Sequence, residues 1–293
     1  MASDDLAHLL LSRFGSLENM RRTWESHWQE IADYVVPRKA DVTKTRSAGD
    51  KRTELIFDGT AIHAAELMSA SLHGMLTNAS TKWFSLRFQD RFLDGDDTAK
   101  EWLGGVEDVM YQAFSRSNFQ EQIHELYHDL ITFGTGIMFV EGDDEATSSS
   151  LRFSTRHIGE CYVSENEYGR VDTVFRKFKM PMRAAISRFG PNNVSQRILK
   201  QSEQDPYSLI ELVHAVYPRD NFDVTRVDSI NKPFASVYYD AEEKKVLSES
   251  GFDEFPYLSP RYLKASYEIG YGRSPAMTAL PDIKMLNKMS EVT

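Results

Sequence analysis

The spacing of apolar residues changes near Gly134, and this change constrains the fold more than any other feature of the chain. Before it, apolar residues recur at three- and four-residue steps, which is typical of helices with one buried face. The clearest such stretch runs from Leu17 to Val35, with Ser16 as a candidate cap and Pro37 as its end. The same spacing predicts helices over residues 60–76, 102–114 and 119–130. The first part of the chain is therefore predicted to be mainly helical.

After Gly134 the apolar residues form short runs rich in β-branched and aromatic side chains, separated by turn-forming Gly, Asp, Asn and Pro. These runs predict strands at Ile137–Val140, Leu151–Phe153, Val171–Phe178, Glu211–Tyr217, Phe222–Val227, Phe234–Tyr239 and Val246–Ser248. A short helix is expected from Pro181 to Phe189, and Ser274-Pro275 opens a last helix. Helices followed by strands indicate the α+β fold class.

The chain divides into three predicted regions. Residues 1–205 form a mainly helical domain with short strands, residues 206–265 a strand-rich segment, and residues 266–293 the start of a long helix. The apolar stripe of that last helix comprises Ala276, Ala279, Leu280, Ile283, Leu286 and Met289. Because the stripe still runs at Met289 and no capping glycine follows, we expect Thr293 to lie inside an interrupted helix.

Composition limits the possible functions. The 34 basic and 44 acidic residues give a net charge of −10, the wrong sign for a protein that holds DNA phosphates tightly. An acidic wall would instead let DNA slide past. Six of the basic residues crowd the stretch between Pro37 and Thr53, which is predicted to be a mobile loop. The single Cys161 excludes an internal disulfide and a multi-cysteine zinc site, and neither a signal peptide nor a membrane span is evident, so a cytosolic protein is expected.

The most specific chemical motif is His124-Glu125-Leu126-Tyr127-His128, which matches the H-E-x-x-H pattern of zinc metalloproteases. In that pattern both histidines bind zinc and the glutamate is the general base. The extended form would place Gly and His where Ile131 and Gly134 stand, so that version fails. The alternative is a structural helix with His124, Glu125 and His128 on its polar flank, and this interpretation is favoured.

Two weaker candidates remain. Gly270-Tyr271-Gly272-Arg273 is half of a nucleotide-binding loop, without a third glycine, and a turn is the favoured interpretation. An acidic turn could hold a divalent cation, although a solvated turn is favoured; it comprises Glu141, Asp143, Asp144 and Glu145. Apart from the H-E-x-x-H match, no residue set in the sequence indicates a cofactor, a resident metal or a catalytic nucleophile.

Composition leaves the function open, but six segments of the sequence are more specific. They are residues 13–38, which include Arg21-Arg22-Thr23-Trp24; 57–61 with 76–78; 82–86; Ser117-Asn118-Phe119 with the following helix into 133–136; 169–173 with 175–176; and 214–219 with Pro256, Arg261, 271–276 and 279–287. In order and spacing these segments resemble the portal, or head-to-tail connector, family of short-tailed T7-like bacteriophages. Asn78 stands where that family usually has proline, a departure that affects only a turn.

The resemblance implies a structural protein and not an enzyme. Portals of this family form a ring, usually of twelve subunits, at one capsid vertex of the virion after assembly in the host cytoplasm. Such a ring contacts capsid or scaffolding protein, terminase and tail adaptors, and double-stranded DNA passes through it without sequence-specific binding. By analogy the helical part would form the wing, residues 206–265 a wing edge or clip, and Ser274 onward a stem helix in a chain that continues. The zinc metalloprotease and another oligomeric phage structural protein remain as alternatives.

Overall fold

The computed structural model describes residues 3–47, 49–90, 92–142, 151–223 and 225–293. The helices within these residues are α1 Ser3–Val35, α2 Thr60–Leu76, α3 Asp97–Arg116, α4 Phe119–Phe133, α5 Met182–Phe189, α6 Gln196–Gln204 and α7 Pro275–Val292. The strands are β1 Met138–Gly142, β2 Leu151–Thr155, β3 Cys161–Glu165, β4 Val171–Pro181, β5 Leu209–Pro218, β6 Phe234–Asp240, β7 Lys245–Phe252 and β8 Tyr257–Leu258. The fold is therefore α+β, as the sequence predicts.

The strands form two antiparallel sheets. A three-stranded sheet has the order β2-β1-β8, and a five-stranded sheet has the order β3-β4-β5-β6-β7. Neighbours in the larger sheet are consecutive along the chain. Short turns join β3 to β4 and β6 to β7, whereas helices α5 and α6 lie in the connection between β4 and β5. Its centre is the β4–β5 pair, in which Val174 lies opposite Val216 and Pro181 opposite Leu209.

Helices cover both faces of the larger sheet because side chains alternate between the faces of a strand. On β5, Val213 contacts the face that holds Leu10 and Phe14 of α1. The preceding Leu212 contacts the opposite face, where Met182 of α5 and Ile198 of α6 pack. The sheet is therefore the middle layer of this part of the molecule.

The second half of α1 joins the sheet region to the other helices. Trp28 is fully buried in a cluster that also contains Phe133 of α4, Tyr271 and Leu280 of α7. The rings of Trp28 and Tyr271 meet edge to face, with centroids 4.9 Å apart. This cluster makes α1 the central support of the chain, as its predicted apolar stripe requires.

The last helix begins as predicted. The Ser274 hydroxyl caps α7 by accepting a hydrogen bond from the Met277 amide at 3.0 Å, and it donates to the Thr132 carbonyl at 2.8 Å. Pro281 lies inside the helix, which continues through it. Leu280 is buried, whereas Met289 of the predicted stripe is exposed.

Some sequence expectations were wrong. Helix α1 already begins at Ser3, so Ser16 lies within it and is not its cap. The described residues of the predicted strand Phe222–Val227 form loop and turn, because the Asp223 carboxylate accepts hydrogen bonds from the Thr225 amide and hydroxyl. Three elements were missed, namely strands β3 and β8 and helix α6.

None of the described helices combines the length and the apolar character needed to cross a membrane.

Candidate functional site

The H-E-x-x-H motif lies on α4, where the predicted buried stripe is largely confirmed. Phe119, Ile123 and Leu126 are buried, and the flanking faces of the helix carry the motif residues. Gly134 ends the helix in a left-handed conformation with φ of 78°, which glycine adopts without steric cost. The helix therefore presents its polar residues to two neighbours, the basic stretch after α1 and helix α2.

Glu125 is held by two cations from the basic stretch. Its carboxylate lies 2.9 Å from Arg38 Nη2 and 2.8 Å from Lys39 Nζ. Burial acts to raise the pKa of Glu125, but the hydrogen bonds and charges of Lys39 and Arg38 outweigh it and lower the pKa to about 2. A carboxylate with this pKa is a poor proton acceptor near neutral pH, so Glu125 is placed as an anchor for the basic stretch and not as a general base.

His128 corrects the sequence interpretation. It was expected on the polar flank, but its side chain is only 1% exposed, because α2 packs over α4 at this point. Its Nε2 lies 3.3 Å from a carboxylate oxygen of Glu66 on α2. Burial, followed by the charge of Arg38, lowers the pKa of His128, so the ring is neutral near pH 7. The neighbouring Asp129 is also buried and pairs with Lys39.

His124 has different surroundings. It is partly exposed, as expected for a polar flank, and its ring meets that of His73 on α2 with centroids 5.8 Å apart. His73 in turn shares a hydrogen bond with the Thr77 hydroxyl at 3.1 Å. Across the ranges that the structure describes, no group of three or more His, Cys, Asp or Glu side chains is arranged to hold a metal ion. Of the acidic turn, Asp143, Asp144 and Glu145 lie outside the described residues.

The basic stretch, expected to be a mobile loop, is tied to the body by ion pairs. Besides Arg38 and Lys39, its Lys44 contacts Asp33 of α1 at 2.6 Å, and Arg52 contacts Asp41 at 2.6 Å. These cations are therefore neutralised within the chain, which leaves them poorly placed to hold DNA phosphates.

Arg21 is buried and connects residues 13–38, the first of the segments that resemble the portal family, to the larger sheet. Arg21 of α1 donates hydrogen bonds from Nη1 to the carbonyls of Ile158, Gly159 and Cys161, at 3.1, 2.9 and 3.0 Å. Its guanidinium also lies 3.6 Å from the ring centroid of Tyr162. Periodicity gave no indication of this role, because Arg21 sits among helix positions that look solvated.

Gly134 and Gly272 lie in two different segments that resemble the portal family. Because neither residue has a side chain, their backbones can approach closely. A Cβ atom built on Gly272 would lie 2.7 Å from the Leu263 carbonyl oxygen and 2.8 Å from that of Gly134. The Gly272 amide donates to the Thr135 hydroxyl at 2.9 Å. The glycines of 270–273 therefore serve backbone packing, in agreement with a turn and not with a nucleotide-binding loop.

Asn287 joins α7 to the chain segment that precedes α2. Its side-chain oxygen accepts hydrogen bonds from the amides of Phe57 and Asp58 at 2.8 and 3.0 Å, and its amide nitrogen donates to the Leu55 carbonyl at 2.8 Å. Asn287 is buried although it lies in an otherwise exposed half of α7. Several of the segments that resemble the portal family thus contact one another in the folded chain. These contacts hold the helices and sheets together.

The surface offers a second kind of candidate site, made of apolar side chains that stay largely exposed. Helix α2 has one charged residue, Glu66, in its 17 positions, and its Leu67 and Met75 are 70% and 75% exposed. On α3, Trp102 and Val109 are exposed to a similar extent. Exposed apolar surface concentrated on a few helices is typical of contact surfaces between proteins.

The sequence of the chain is similar to those of known proteins over nearly its whole length. The family model described as bacteriophage head to tail connecting protein matches residues 7–293. The chain belongs to this family. It is 34% identical over 281 residues to the portal protein of Salmonella phage epsilon15, covering 94% of this chain and 50% of that protein. It is also 34% identical over 292 residues to the probable portal protein of Bordetella phage BPP-1, covering 98% of this chain and 52% of that protein. The chain thus spans about half the length of these relatives.

Proposed function

We propose that this chain forms part of a portal subunit, a structural protein that assembles into a ring between the head and the tail of a bacteriophage virion. The observation that carries the proposal is the family match over residues 7–293, together with two portal relatives at 34% identity. The proposed role is mechanical, because the motif residues Glu125 and His128 are engaged in contacts between elements.

The exposed apolar helices support assembly. A helix with a single charge, such as α2, is stable in water only where its apolar sides are covered, and α4 covers one side of it. In a ring of identical subunits each copy presents two different surfaces, one to each neighbour. Helices α2, α3 and α7 each carry exposed apolar side chains that can take part in such contacts, among them Leu67, Trp102 and Met285.

The charge supports a channel for DNA. With a net charge of −10 and its basic stretch paired internally, the chain would repel duplex DNA and let it pass. Contacts with terminase, capsid or scaffolding protein and tail adaptors, assembly in the host cytoplasm and a twelve-subunit ring are the partners, place and stoichiometry that the family resemblance suggests. The division at residues 205 and 265 into wing, wing edge or clip, and stem belongs to the same proposal.

The test is direct imaging of the purified chain, with its mass measured in solution. We expect closed rings with a central hole wide enough for duplex DNA. Monomers only, or closed assemblies without a hole, would contradict the portal role and favour another phage structural protein. Metal analysis of the same preparation tests the protease alternative, which about one tightly held zinc per chain would revive.

A further inference from the structure

Helix α3 carries a straight row of exposed residues spaced seven apart. Trp102, Val109 and Arg116 follow one another at two-turn intervals, so they point in nearly the same direction. Trp102 and Val109 are 63% and 65% exposed, although one side of the Trp102 ring stacks on Phe88 with centroids 6.3 Å apart. Helix α3 contains no buried residue along its length. The other side of the helix packs on the segment before it, where Tyr111 stacks on Phe84 with centroids 4.4 Å apart. The row is therefore an outward ridge, and we call it the α3 ridge.

A groove of matching character lies between α2 and α7. It encloses about 310 Å³ and is lined mainly by small and apolar side chains, among them Ala61, Ala64 and Met68 of α2 and Ala276, Ala279 and Ile283 of α7. A cavity of about 150 Å³ holds a benzene ring, so the groove has room for roughly two apolar side chains. We call it the α2–α7 groove. Small residues on both walls let another helix approach closely.

Each of the two surfaces also carries a charge of opposite sign. The α2–α7 groove is bordered by two carboxylates, and that of Asp58 already accepts a hydrogen bond from the Thr60 amide at 2.9 Å. The two charges that can pair between copies are those of Arg116, which ends the α3 ridge, and Asp282. Neither side chain forms an ion pair with any other residue in the described parts of the chain. The ridge thus offers two apolar anchors followed by a free cation, and the groove offers an apolar floor beside a free carboxylate.

We propose that the α3 ridge of one copy docks in the α2–α7 groove of the next copy, with Trp102 and Val109 filling the groove and Arg116 pairing with Asp282. Anchors on one helix face are how an amphipathic helix binds an apolar groove. Because ridge and groove are different surfaces of the same chain, the contact is heterologous and repeats from copy to copy until a ring closes. This inference rests on the proposed function for the identity of the occupant, a second copy of the chain.

Two single variants test this proposal, and each disrupts one of the two surfaces. Val109→Glu places a charge on the ridge, and Ala279→Glu places one in the groove; both positions are exposed, so folding is preserved. Val227→Glu, at a loop position that is 93% exposed, is the matched control. We expect each single variant to be monomeric where the wild type and the control assemble. An equimolar mixture of the two variants retains one intact ridge and one intact groove, so it should give dimers of twice 33.6 kDa and nothing larger.

Charge reversal provides a second readout. Arg116→Glu or Asp282→Arg alone should raise the concentration for half-assembly by about tenfold or more, and the double variant should restore it, because it rebuilds the pair with opposite polarity. Rings that form unchanged from Val109→Glu and from Ala279→Glu would overturn the docking while leaving the portal role intact. Wild-type assemblies that depend on ridge and groove but stay open would support the docking and contradict the ring. A mixture that remains monomeric, or a wild-type chain that never associates, would overturn the docking.

Discussion

The side-chain amide of Asn118 forms two hydrogen bonds with the backbone of Phe153, donating to its carbonyl at 2.8 Å and accepting from its amide at 2.9 Å. One turn later on α4, Gln122 accepts from the Thr155 amide at 2.7 Å. Strand β2 is the edge of the smaller sheet, and α4 thus occupies its outer hydrogen-bonding groups as a neighbouring strand would. Covered edges resist pairing with strands of other molecules, which matters for a protein that assembles.

Asn118→Ala is predicted to lower the free energy of unfolding by about 1–3 kcal/mol, since two hydrogen bonds to the strand edge are lost. Asn118→Asp keeps the acceptor and loses the donor, so an intermediate loss is expected. Asn192→Ala, at an exposed position, is the control and should be neutral. Urea unfolding measures all three, and equal stability of Asn118→Ala and the control would show that the edge is held by other contacts.

Arg21→Ala is predicted to cost about 3 kcal/mol or more, because three carbonyl groups along 158–161 lose their shared donor in a buried site. Arg21→Lys should recover little, since an ammonium cannot reproduce the planar fork of the guanidinium. The next residue offers a matched control: Arg22 is exposed, and Arg22→Ala should change the unfolding free energy by less than about 0.5 kcal/mol. Similar losses at both positions would contradict the anchoring role of Arg21.

The ion pairs of Glu125 predict a dependence of stability on pH. The pKa of Glu125 falls from 4.5 to about 2 on folding, so the folded chain binds fewer protons in this window. The stabilisation is complete above about pH 4.5 and is lost as the pH falls through about 2. The stability difference between wild type and Glu125→Gln should therefore shrink as the pH is lowered from 6 to about 2. Glu121→Gln, on the exposed side of the same helix, should show no such trend.

The two histidines of the motif are predicted to behave differently, although the sequence placed both on the polar flank of the helix. His128→Ala removes a buried ring beside Glu66 and should cost about 1–3 kcal/mol. His124→Ala should stay within about 0.5 kcal/mol of wild type, because its side chain is partly exposed. Thermal unfolding of both variants, with zinc content measured in parallel, checks this. An equal effect at both positions, together with loss of bound zinc, would indicate a metal site.

The sequence located the motif helix but not the partners of its side chains. The spacing of Phe119, Ile123 and Leu126 defines the buried face of α4, whereas the burial of His128 depends on where α2 packs. Likewise, nothing local indicates that Lys39 pairs with Glu125 and Asp129, because the partners are separated by up to 90 residues. Arg21, Asn118 and Asn287 stabilise the fold through hydrogen bonds to distant backbone. All three lie in segments that resemble the family, but no local sequence pattern indicates these contacts.

By itself, the sequence determined the features that depend on residues only a few positions apart. These are the apolar stripes of the helices, the Ser274 cap with Pro275 behind it, the glycine end of α4 at Gly134, and the change from helical to strand spacing. Such features are local because a helical turn or a cap closes over three or four residues.

The tertiary structure decided what depends on contacts between distant segments. It extended α1 to Ser3, buried His128 and placed the α2–α7 groove beside Asp282. Each of these outcomes depends on which surfaces are available to cover an apolar side chain or pair a charge. That availability is set when chain segments about sixty or more residues apart pack together, and no local pattern records it.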